Sequence, residues 1–407
     1  MMADTLNIRK NNLMLILEAM KSSGEMTAAM IAEKTGLSAA TISRSLLLLK
    51  TRGLIISCGK DNSEQLGRRP DVFSLHPDYA FFIYCHLSGD CMSAYLIDFY
   101  GSTRCSVSTE AAVTLTPEAF SQKLLALKSQ LLSGAYANVP CLNLVVSLPG
   151  IISRADGTVS RIPNYPSLEH CRIAELASAA SDLPCQVYNG TRLSALGEYL
   201  KSGAERGSLV QINITGKYGI GAGIVLGGEL YEDREGIAGE IGDMVLIPDQ
   251  VGAQSVLSKG ALEEQAGLEL LLEKAQYLLS RGAAPQLQQL MLQQKTKTVT
   301  LRLLQQAAQT LDFGVLNILN HTVQLWAAAI INTATLLAPD VIVVGGAISE
   351  EDTLICSMLQ QHVRAHYYRD LTLRFAKRDS DAYILGAINL SQKYLLDAAL
   401  ARVLDGM

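Results

Sequence analysis

The 407-residue sequence has few of the features that mark a secreted, disulfide-bonded or membrane-spanning protein. Its eight cysteines are scattered and form no CxxC pair, which argues against a disulfide framework and against a thiolate zinc site. No run of about 18 apolar residues occurs, so a transmembrane helix is not expected. The N-terminus lacks the basic and then apolar segments of a signal peptide, and we therefore expect a cytoplasmic location.

Aromatic residues are also scarce. They make up 6% of the chain, with a single tryptophan, whereas hydrophobic residues as a whole make up 49%. The apolar content is therefore mainly leucine, alanine, isoleucine and valine, which suits helices and buried parallel strands better than a β-sandwich. The length indicates two or three domains.

Charge is distributed unevenly along the chain. Residues 1–77 contain ten Lys or Arg and seven Asp or Glu, whereas the remaining residues contain 24 and 32. The net charge of −5 thus combines a basic N-terminal segment with an acidic body. A small nucleic-acid-binding module attached to a larger domain has this distribution, although a solvated helical face can also produce it.

The N-terminal segment has the pattern of a winged helix-turn-helix. Apolar residues at helical spacing in 11–20 predict a first helix, and Thr27 and Ser38 are candidate N-caps for a second and a third helix. The third helix begins with small polar and basic residues, as a recognition helix does. Two short strands follow, at 54–57 and 72–75, and are expected to form a wing around a basic loop.

The third helix and the wing supply the candidate DNA contacts. Short side chains at the start of a recognition helix allow a close approach to base edges, and basic side chains of a wing can reach phosphates or a minor groove. The predicted contact residues are Ser38, Ala39, Ala40, Thr41, Ser43, Arg44, Lys60, Arg68 and Arg69. A small helical bundle used for protein contacts is the alternative interpretation of this segment.

From residue 78 onward, the pattern changes to strands that alternate with helices. Apolar runs rich in β-branched or aromatic residues predict strands, and helical segments separate most of them. This alternation predicts an α/β body with central sheets. Near the C-terminus, the apolar run 341–344 ends in Gly345-Gly346, and such a turn brings backbone N–H groups close to a ligand.

The order of several motifs resembles the ROK family, which contains bacterial sugar kinases and sugar-responsive transcriptional repressors that share one body. The motifs are LPG at 148–150, PN at 163–164, Asn189, TGKYGIGAGIVLGGELY at 215–231, AGEIGD at 238–243 and PDVIVVGG at 339–346. The resemblance covers essentially the whole chain, from the winged helix and GRRP at 67–70 to LGAINL at 385–390.

This resemblance implies an α/β fold in which an N-terminal winged helix-turn-helix precedes a two-lobed, actin-like ATPase body of the ROK sugar-kinase type. The family binds a sugar, and in its kinases also ATP, in the cleft of that body. The expected domains are 1–77 for the winged helix-turn-helix (the head), 78–195 for a first α/β lobe and 196–390 for a second. The C-terminal helix, 391–407, is expected to complete the first lobe.

The resemblance also points to a catalytic residue that this sequence lacks. ROK kinases have an Asn-Asp pair at the end of a strand, and the Asp takes the proton from the sugar hydroxyl that attacks the γ-phosphate. Here the pair is Asn189-Gly190, and glycine has no proton acceptor. The stretch that matches the kinase phosphate loop, 86–90, also departs from the family pattern. No catalytic residue and no enzymatic activity are therefore expected.

The family's structural zinc site is altered as well. Its pattern has a His after GEIG and three cysteines in CxCGxxGC, which together give four tetrahedral ligands. This sequence has Asp243, Gln254, Val256 and Ala261 at those positions. No zinc and no other cofactor are therefore expected.

The family's sugar-binding positions are largely retained. Carboxylate and amide side chains suit sugars, because each can bond two neighbouring hydroxyls. The candidate sugar-binding residues are Asn164, Asn189, Glu240, Asp243 and Glu263. A vestigial cleft, in which these residues only stabilise the GEIG turn, is the alternative interpretation.

Together these features predict a transcriptional regulator, expected to be a repressor of carbohydrate-related genes. The expected partners are operator DNA, a sugar or sugar-derivative effector and a second copy of the chain, in a homodimer or a dimer of dimers, without a membrane. Effector binding is expected to change the spacing of two recognition helices and to weaken DNA binding. Two alternatives stay open: a sugar kinase with a DNA-binding head, and a regulator controlled by a protein partner.

Overall fold

The computed structural model describes residues 2–60, 70–162, 164–203, 207–216, 219–246, 261–378 and 380–405. The chain divides into two compact units. Unit 1 comprises Met1–Ser147, Ile173–Val187 and Ala387–Met407, and unit 2 comprises Leu148–Arg172 and Tyr188–Gly386.

Helices and strands alternate along most of the described chain. The α-helices are α1 Met2–Ser23, α2 Ala28–Thr35, α3 Ala39–Thr51, α4 Pro117–Leu131, α5 Ile173–Ser181, α6 Gly190–Lys201, α7 Ala261–Ala266, α8 Leu268–Ser280, α9 Pro285–Gln293, α10 Leu301–Gln309, α11 Phe313–Leu337, α12 Thr353–His366 and α13 Ala382–Asp405. The strands are β1 Met26–Thr27, β2 Ile55–Lys60, β3 Asp71–Leu75, β4 Phe81–Ser88, β5 Cys91–Ile97, β6 Thr103–Glu110, β7 Cys141–Leu148, β8 Ile151–Ile152, β9 Val159–Arg161, β10 Cys185–Asn189, β11 Leu209–Ile214, β12 Ile220–Leu226, β13 Glu229–Leu230, β14 Val341–Gly346 and β15 Thr372–Phe375.

The described residues of the head form the helices α1, α2 and α3 and an antiparallel sheet in the order β1-β3-β2. Both predicted N-caps are confirmed. The Thr27 hydroxyl accepts a hydrogen bond from the Met30 amide at the start of α2, and the Ser38 hydroxyl accepts one from the Thr41 amide at the start of α3. The short strand β1 was not predicted, and it adds a third strand to the two expected ones.

The rest of unit 1 is built on a five-stranded sheet in the order β10-β7-β4-β5-β6. β4, β5 and β6 form an antiparallel meander, and β4 pairs with β7 in parallel. Helices α4 and α5 pack against each other, and α4 also contacts β5 and β6. The C-terminal part of α13, from Ala387, belongs to this unit as well.

The stretch 86–90 forms the end of β4 and the turn into β5. The Ser147 hydroxyl lies 2.7 Å from His86 Nδ1 and 2.6 Å from the Tyr84 hydroxyl. Burial lowers the pKa of His86 to about 4, so this imidazole is neutral at physiological pH. His86 is therefore a partly buried residue that is hydrogen-bonded within the sheet.

Unit 2 is built on a second five-stranded sheet, in the order β13-β12-β11-β14-β15. β11, β14 and β15 run parallel, and β12 and β13 extend the sheet with antiparallel pairing. Helix α11 is long and apolar enough to cross a membrane, but half of its most apolar stretch is buried inside the protein. Its Trp326 indole donates a hydrogen bond of 2.7 Å to the Ala266 carbonyl, and Leu319 and Val323 are buried. Helix α11 thus has the contacts of a core helix.

The two units differ from the lobes predicted as 78–195 and 196–390. Residues 148–172 and 188–195 belong to unit 2, and α13 is divided after Gly386. The hairpin of β8 and β9 belongs to unit 2, and in its loop the Arg154 amide donates a hydrogen bond of 3.0 Å to the Arg234 carbonyl of the same unit. Helix α6 belongs there because it packs on β11 and β12.

Candidate functional site

The predicted sugar-binding residues come from four parts of unit 2. Asn164 follows β9, Asn189 ends β10, Glu240 and Asp243 belong to the AGEIGD turn, and Glu263 lies in α7. The structure brings Glu240, Asp243 and Glu263 close enough to interact electrostatically. Asn164 is half-buried, three residues beyond the end of β9.

Asn189 is the N-cap of α6. Its Oδ1 accepts hydrogen bonds from the amides of Thr191 at 2.8 Å and Arg192 at 3.3 Å. Its Nδ2 donates a hydrogen bond of 2.8 Å to the Gly150 carbonyl. These bonds fix the amide between the LPG motif and the start of α6. The next residue, Gly190, has no side chain that could accept a proton.

The Glu240 carboxyl group has a strongly perturbed acidity. Burial raises the pKa of Glu240 to about 7, because the ionised form loses hydration. Arg192 opposes this shift most strongly, whereas the neighbouring carboxylates of Asp243 and Glu263 add to it. Near neutral pH, Glu240 can therefore either accept a hydrogen bond from a ligand hydroxyl or donate one to it.

Two arginines to which no sequence motif pointed lie beside these carboxylates. Arg161 Nη1 lies 3.3 Å from Asp243 Oδ1, in a partly exposed ion pair. The Arg192 side chain is buried and donates hydrogen bonds to the carbonyls of Gly236 at 2.5 Å and Ala238 at 2.9 Å. Burial lowers the pKa of Arg192. The only signal for them in the sequence is that each lies within three residues of a motif, PN or Asn189-Gly190.

Two acidic residues hold the segment that precedes Glu240. Asp233 Oδ1 accepts a hydrogen bond of 2.8 Å from the Ala238 amide, and its Oδ2 accepts one of 3.1 Å from the Glu235 amide. The buried Glu232 carboxylate forms an ion pair with Arg154. These contacts fix the backbone that leads to Glu240.

Gly219 allows Glu263 to approach the glycine-rich run. Its backbone has φ +78°, which favours glycine, and a Cβ at this position would collide with the Glu263 carboxylate. A Cβ at Gly242 would lie 3.2 Å from the same carboxylate. Glu263 can therefore approach the AGEIGD turn because the two residues that face its carboxylate, Gly219 and Gly242, have no side chain.

This arrangement suits a polyhydroxylated ligand. A sugar hydroxyl both donates and accepts hydrogen bonds. The carboxylates of Glu240, Asp243 and Glu263 can accept them, and the arginine and asparagine side chains beside these carboxylates can donate them. Within the described parts of the chain, no group of three His, Cys, Asp or Glu side chains could hold a metal ion. Gln254 and Val256, at two of the family's zinc positions, lie outside the described residues.

The predicted DNA contacts of unit 1 lie mainly at the start of α3. Most of them are exposed, namely Ser38, Ala39, Ala40, Ser43, Arg44 and Lys60, while Thr41 is half-buried. Arg44 Nε donates a hydrogen bond of 3.2 Å to the Ala40 carbonyl, and Lys60 Nζ lies 2.7 Å from Asp71 Oδ1. Arg68 and Arg69 lie outside the described residues.

Polar contacts of the described residues join the head to the rest of unit 1. The Tyr100 hydroxyl, in the turn between β5 and β6, donates a hydrogen bond of 3.1 Å to the Leu75 carbonyl. Lys10 Nζ of α1 lies 3.4 Å from Asp397 Oδ1 of α13. The head is therefore held both by the sheet of unit 1 and by the C-terminal helix.

Comparison with known proteins finds one family model and several similar sequences. A model of the ROK family matches residues 87–394. A putative xylose repressor of Caldicellulosiruptor sp. (strain Rt8B.4) is 24% identical over 392 residues, which cover 94% of this chain and 95% of that protein. A glucokinase of Halalkalibacterium halodurans is 26% identical over 249 residues, which cover 60% of this chain and 74% of that protein.

A solved structure has a similar fold over nearly the whole chain. It is the crystal structure of a ROK family transcriptional regulator described as a homolog of the E. coli MLC protein. The match has a TM-score of 0.75 and 20% sequence identity, and it covers 97% of this chain and 98% of that one. The likeness therefore includes the head as well as the body.

Proposed function

Because the chain belongs to the ROK family, whose actin-like α/β fold its body has, we propose that it is a DNA-binding transcriptional repressor of carbohydrate-related genes. A sugar or sugar derivative bound in unit 2 lowers its affinity for operator DNA. The observation that carries this proposal is the share of this chain that its relatives cover. The match to a protein named as a putative xylose repressor covers 94% of the chain, whereas the match to a glucokinase covers 60%.

In this proposal the head is a winged helix-turn-helix. Helices α2 and α3 are joined by a short turn at Gly36, which has φ +68° and forms the C-cap of α2. The start of α3 is exposed and carries Ser43 and Arg44 beside two alanines, so it can approach base edges closely. Strands β2 and β3 form the wing, and Lys60 at the end of β2 is exposed. These features favour DNA binding over a helical bundle used only for protein contacts.

The proposal includes no kinase activity. Residue 190 is a glycine, so the position after Asn189 offers no general base for the sugar hydroxyl. The match to a glucokinase favours the alternative, a sugar kinase with a DNA-binding head. A coupled assay of ADP release, with ATP and with pentoses, hexoses or amino sugars as substrates, separates the two. Sustained turnover would support the kinase, and no release above the no-sugar control supports the repressor.

In the proposed mechanism, α13 carries the signal from the ligand site to the head. Within unit 2, α13 begins against α6, the helix that Asn189 caps. A side chain at Gly197 would collide with the Ala382 backbone, and one at Gly386 would collide with the Leu193 backbone. Such close packing means that a shift of α6 must displace the first turn of α13.

Further along, α13 packs within unit 1 against elements that hold the head. A Cβ at Gly101 would lie 2.8 Å from Ile388, and Asp397 pairs with Lys10 of α1. Tyr100, next to Gly101, donates its hydrogen bond to Leu75 at the end of β3. In this mechanism, ligand binding at the Asn189 end of α6 moves α13 and so changes the contacts that hold the head. In a homodimer, two recognition helices must lie about 34–36 Å apart to read successive major grooves, so a small shift weakens binding.

A thermal-shift panel tests the ligand part of the proposal. Pentoses, hexoses, amino sugars and sugar phosphates are added singly to the full chain, and a sugar that binds the folded state raises the melting temperature. Each sugar that raises the melting temperature is then added to the binding reaction of a gel-shift assay with the DNA upstream of the protein's own gene. If no sugar raises the melting temperature, the effector proposal fails, and the alternative of a regulator controlled by a protein partner gains support.

A further inference from the structure

The solvent-facing side of α3 carries one large apolar side chain. Leu47 is 68% exposed, whereas Ile42, Leu46 and Leu49 of the same helix are buried in the head. The core of the head is therefore formed without Leu47. Leu47 is therefore available for contact with a partner that approaches this side of α3.

Leu47 lies on the same face of α3 as the predicted DNA contacts. Ser43 and Arg44 precede it by four and three residues, and Ala40 precedes it by seven, so the four side chains form one exposed stripe. The stripe is bordered by the exposed basic residue Lys50, and α3 contains no acidic residue. The charge of this face is complementary to DNA phosphates.

The chemistry of the major groove supplies a partner for an apolar side chain in this position. The C5-methyl group of thymine is the apolar group that the base edges present there, and apolar side chains contact it. Leu47 lies about 4.5 Å along the helix axis from Arg44 at 1.5 Å per residue. Base pairs are spaced by about 3.4 Å along each strand, so the two side chains reach positions one or two base pairs apart.

We propose that Leu47 contacts a thymine methyl group in the operator and sets the sequence preference at that base pair. The inference depends on the proposed function, because it requires that α3 enters the major groove. Arginine on the same face pairs best with guanine O6 and N7. The half-site is therefore expected to contain a guanine read by Arg44 and a thymine one or two base pairs away, read by Leu47.

Replacement of thymine by deoxyuridine tests the contact without a change in base pairing. A selection from random-sequence DNA with the full chain first defines the operator. Each thymine of that operator is then replaced singly by deoxyuridine, and the Kd is measured by fluorescence anisotropy. We expect one thymine in each half-site at which the replacement removes a methyl contact. Replacement of that thymine should raise the Kd of the unmodified protein about four-fold.

The variant Leu47→Ala provides the second arm of the experiment. At the position where deoxyuridine weakens binding of the unmodified protein, this variant should bind thymine and deoxyuridine with equal Kd. Its preference for guanine should be unchanged. Leu15→Ala, which removes an exposed leucine of α1, is the matched control and should retain the four-fold effect. An unchanged melting temperature and elution volume show that both variants are folded and keep the same oligomeric state.

Several outcomes would overturn the inference. If no single deoxyuridine weakens binding, or if Leu47→Ala retains the same sensitivity, Leu47 does not contact a thymine methyl group, although DNA binding stands. If Leu47→Ala changes the elution volume instead, the exposed leucine serves contact between copies of the chain. If the random library yields no bound sequence, the proposed DNA-binding function itself fails.

Discussion

The Tyr100 hydroxyl donates a hydrogen bond of 3.1 Å to the backbone carbonyl of Leu75, and this bond joins the last strand of the head to the turn between β5 and β6. Asp98 makes that turn rigid. Its buried carboxylate accepts hydrogen bonds from the amides of Tyr100 at 2.8 Å and Ser102 at 2.9 Å, and from Arg104 Nε at 2.7 Å. A turn held in this way can pass a displacement of α13 to the head without deforming.

The change Tyr100→Phe removes the hydroxyl but keeps the ring. The bond to Leu75 contributes about 0.5–1.5 kcal/mol, so we expect the effector-induced change in operator affinity to shrink several-fold. Operator affinity without effector should change by less than about three-fold. The measurement is the ratio of the two operator Kd values, with and without a saturating sugar found by thermal shift. Tyr277→Phe, at an exposed tyrosine of α8, is the control. An unchanged ratio in Tyr100→Phe would remove this bond from the coupling mechanism.

The raised pKa of Glu240 makes stability depend on pH. The pKa rises from an ordinary 4.5 to about 7 on folding, so between these values the folded protein binds more protons than the unfolded chain. The free energy of unfolding should therefore fall as pH rises from about 4.5 to about 7, by on the order of 3 kcal/mol, and Glu240 should add no further change above that range.

The change Glu240→Gln tests this assignment. The variant should lose that part of the pH dependence and be more stable than the unmodified protein at pH 8. Urea unfolding of both proteins between pH 4.5 and 8 provides the measurement. Glu235→Gln, at an exposed carboxylate of the preceding segment, should keep the original pH profile. Identical profiles for all three proteins would contradict the raised pKa.

Ser38 has two roles that different replacements separate. Its hydroxyl caps α3, so Ser38→Ala should lower the free energy of unfolding by about 0.5–2 kcal/mol. Aspartate is an equally good cap, so Ser38→Asp should stay stable while its negative charge repels DNA phosphates. We expect at least ten-fold weaker operator binding for Ser38→Asp and near-normal binding for Ser38→Asn. Equal binding by the Asp and Asn variants would indicate that Ser38 lies away from the DNA.

The ion pair of Arg161 and Asp243 should matter more for ligand binding than for stability. Both side chains are partly exposed, so Asp243→Asn should change the free energy of unfolding by less than about 1 kcal/mol. The loss of a charged acceptor should weaken sugar binding by roughly five-fold, as isothermal titration calorimetry would show. Glu351→Gln, which breaks the exposed pair with Arg378, is the matched control. Equal sugar affinity in Asp243→Asn and the unmodified protein would exclude Asp243 from the site.

Local sequence signals predicted the local structure of the head. Thr27 and Ser38 cap helices because a hydroxyl beside a short apolar helix satisfies its first amides, and this depends only on nearby residues. Leu46 and Leu49 are buried because helical spacing places them on one face. The exposure of Leu47 on the opposite face follows from the same spacing.

The candidate site was less predictable, since it depends on contacts between distant segments. Arg161 and Asp243 are 82 residues apart in the chain, and no local pattern pairs them. The raised pKa of Glu240 likewise depends on burial, which a sequence does not show. The hairpin of β8 and β9 belongs to unit 2, and its strands are too brief to leave a periodic pattern from which this could be predicted.

Operator affinity with and without the sugar tests the central claim most directly. Fluorescence anisotropy at one fixed salt concentration gives the Kd of the full chain for its upstream DNA, first alone and then with a saturating sugar identified by thermal shift. The proposed coupling of about 1–3 kcal/mol predicts a Kd roughly 5–150-fold higher with the sugar. An unchanged Kd, or tighter binding with the sugar, would contradict it.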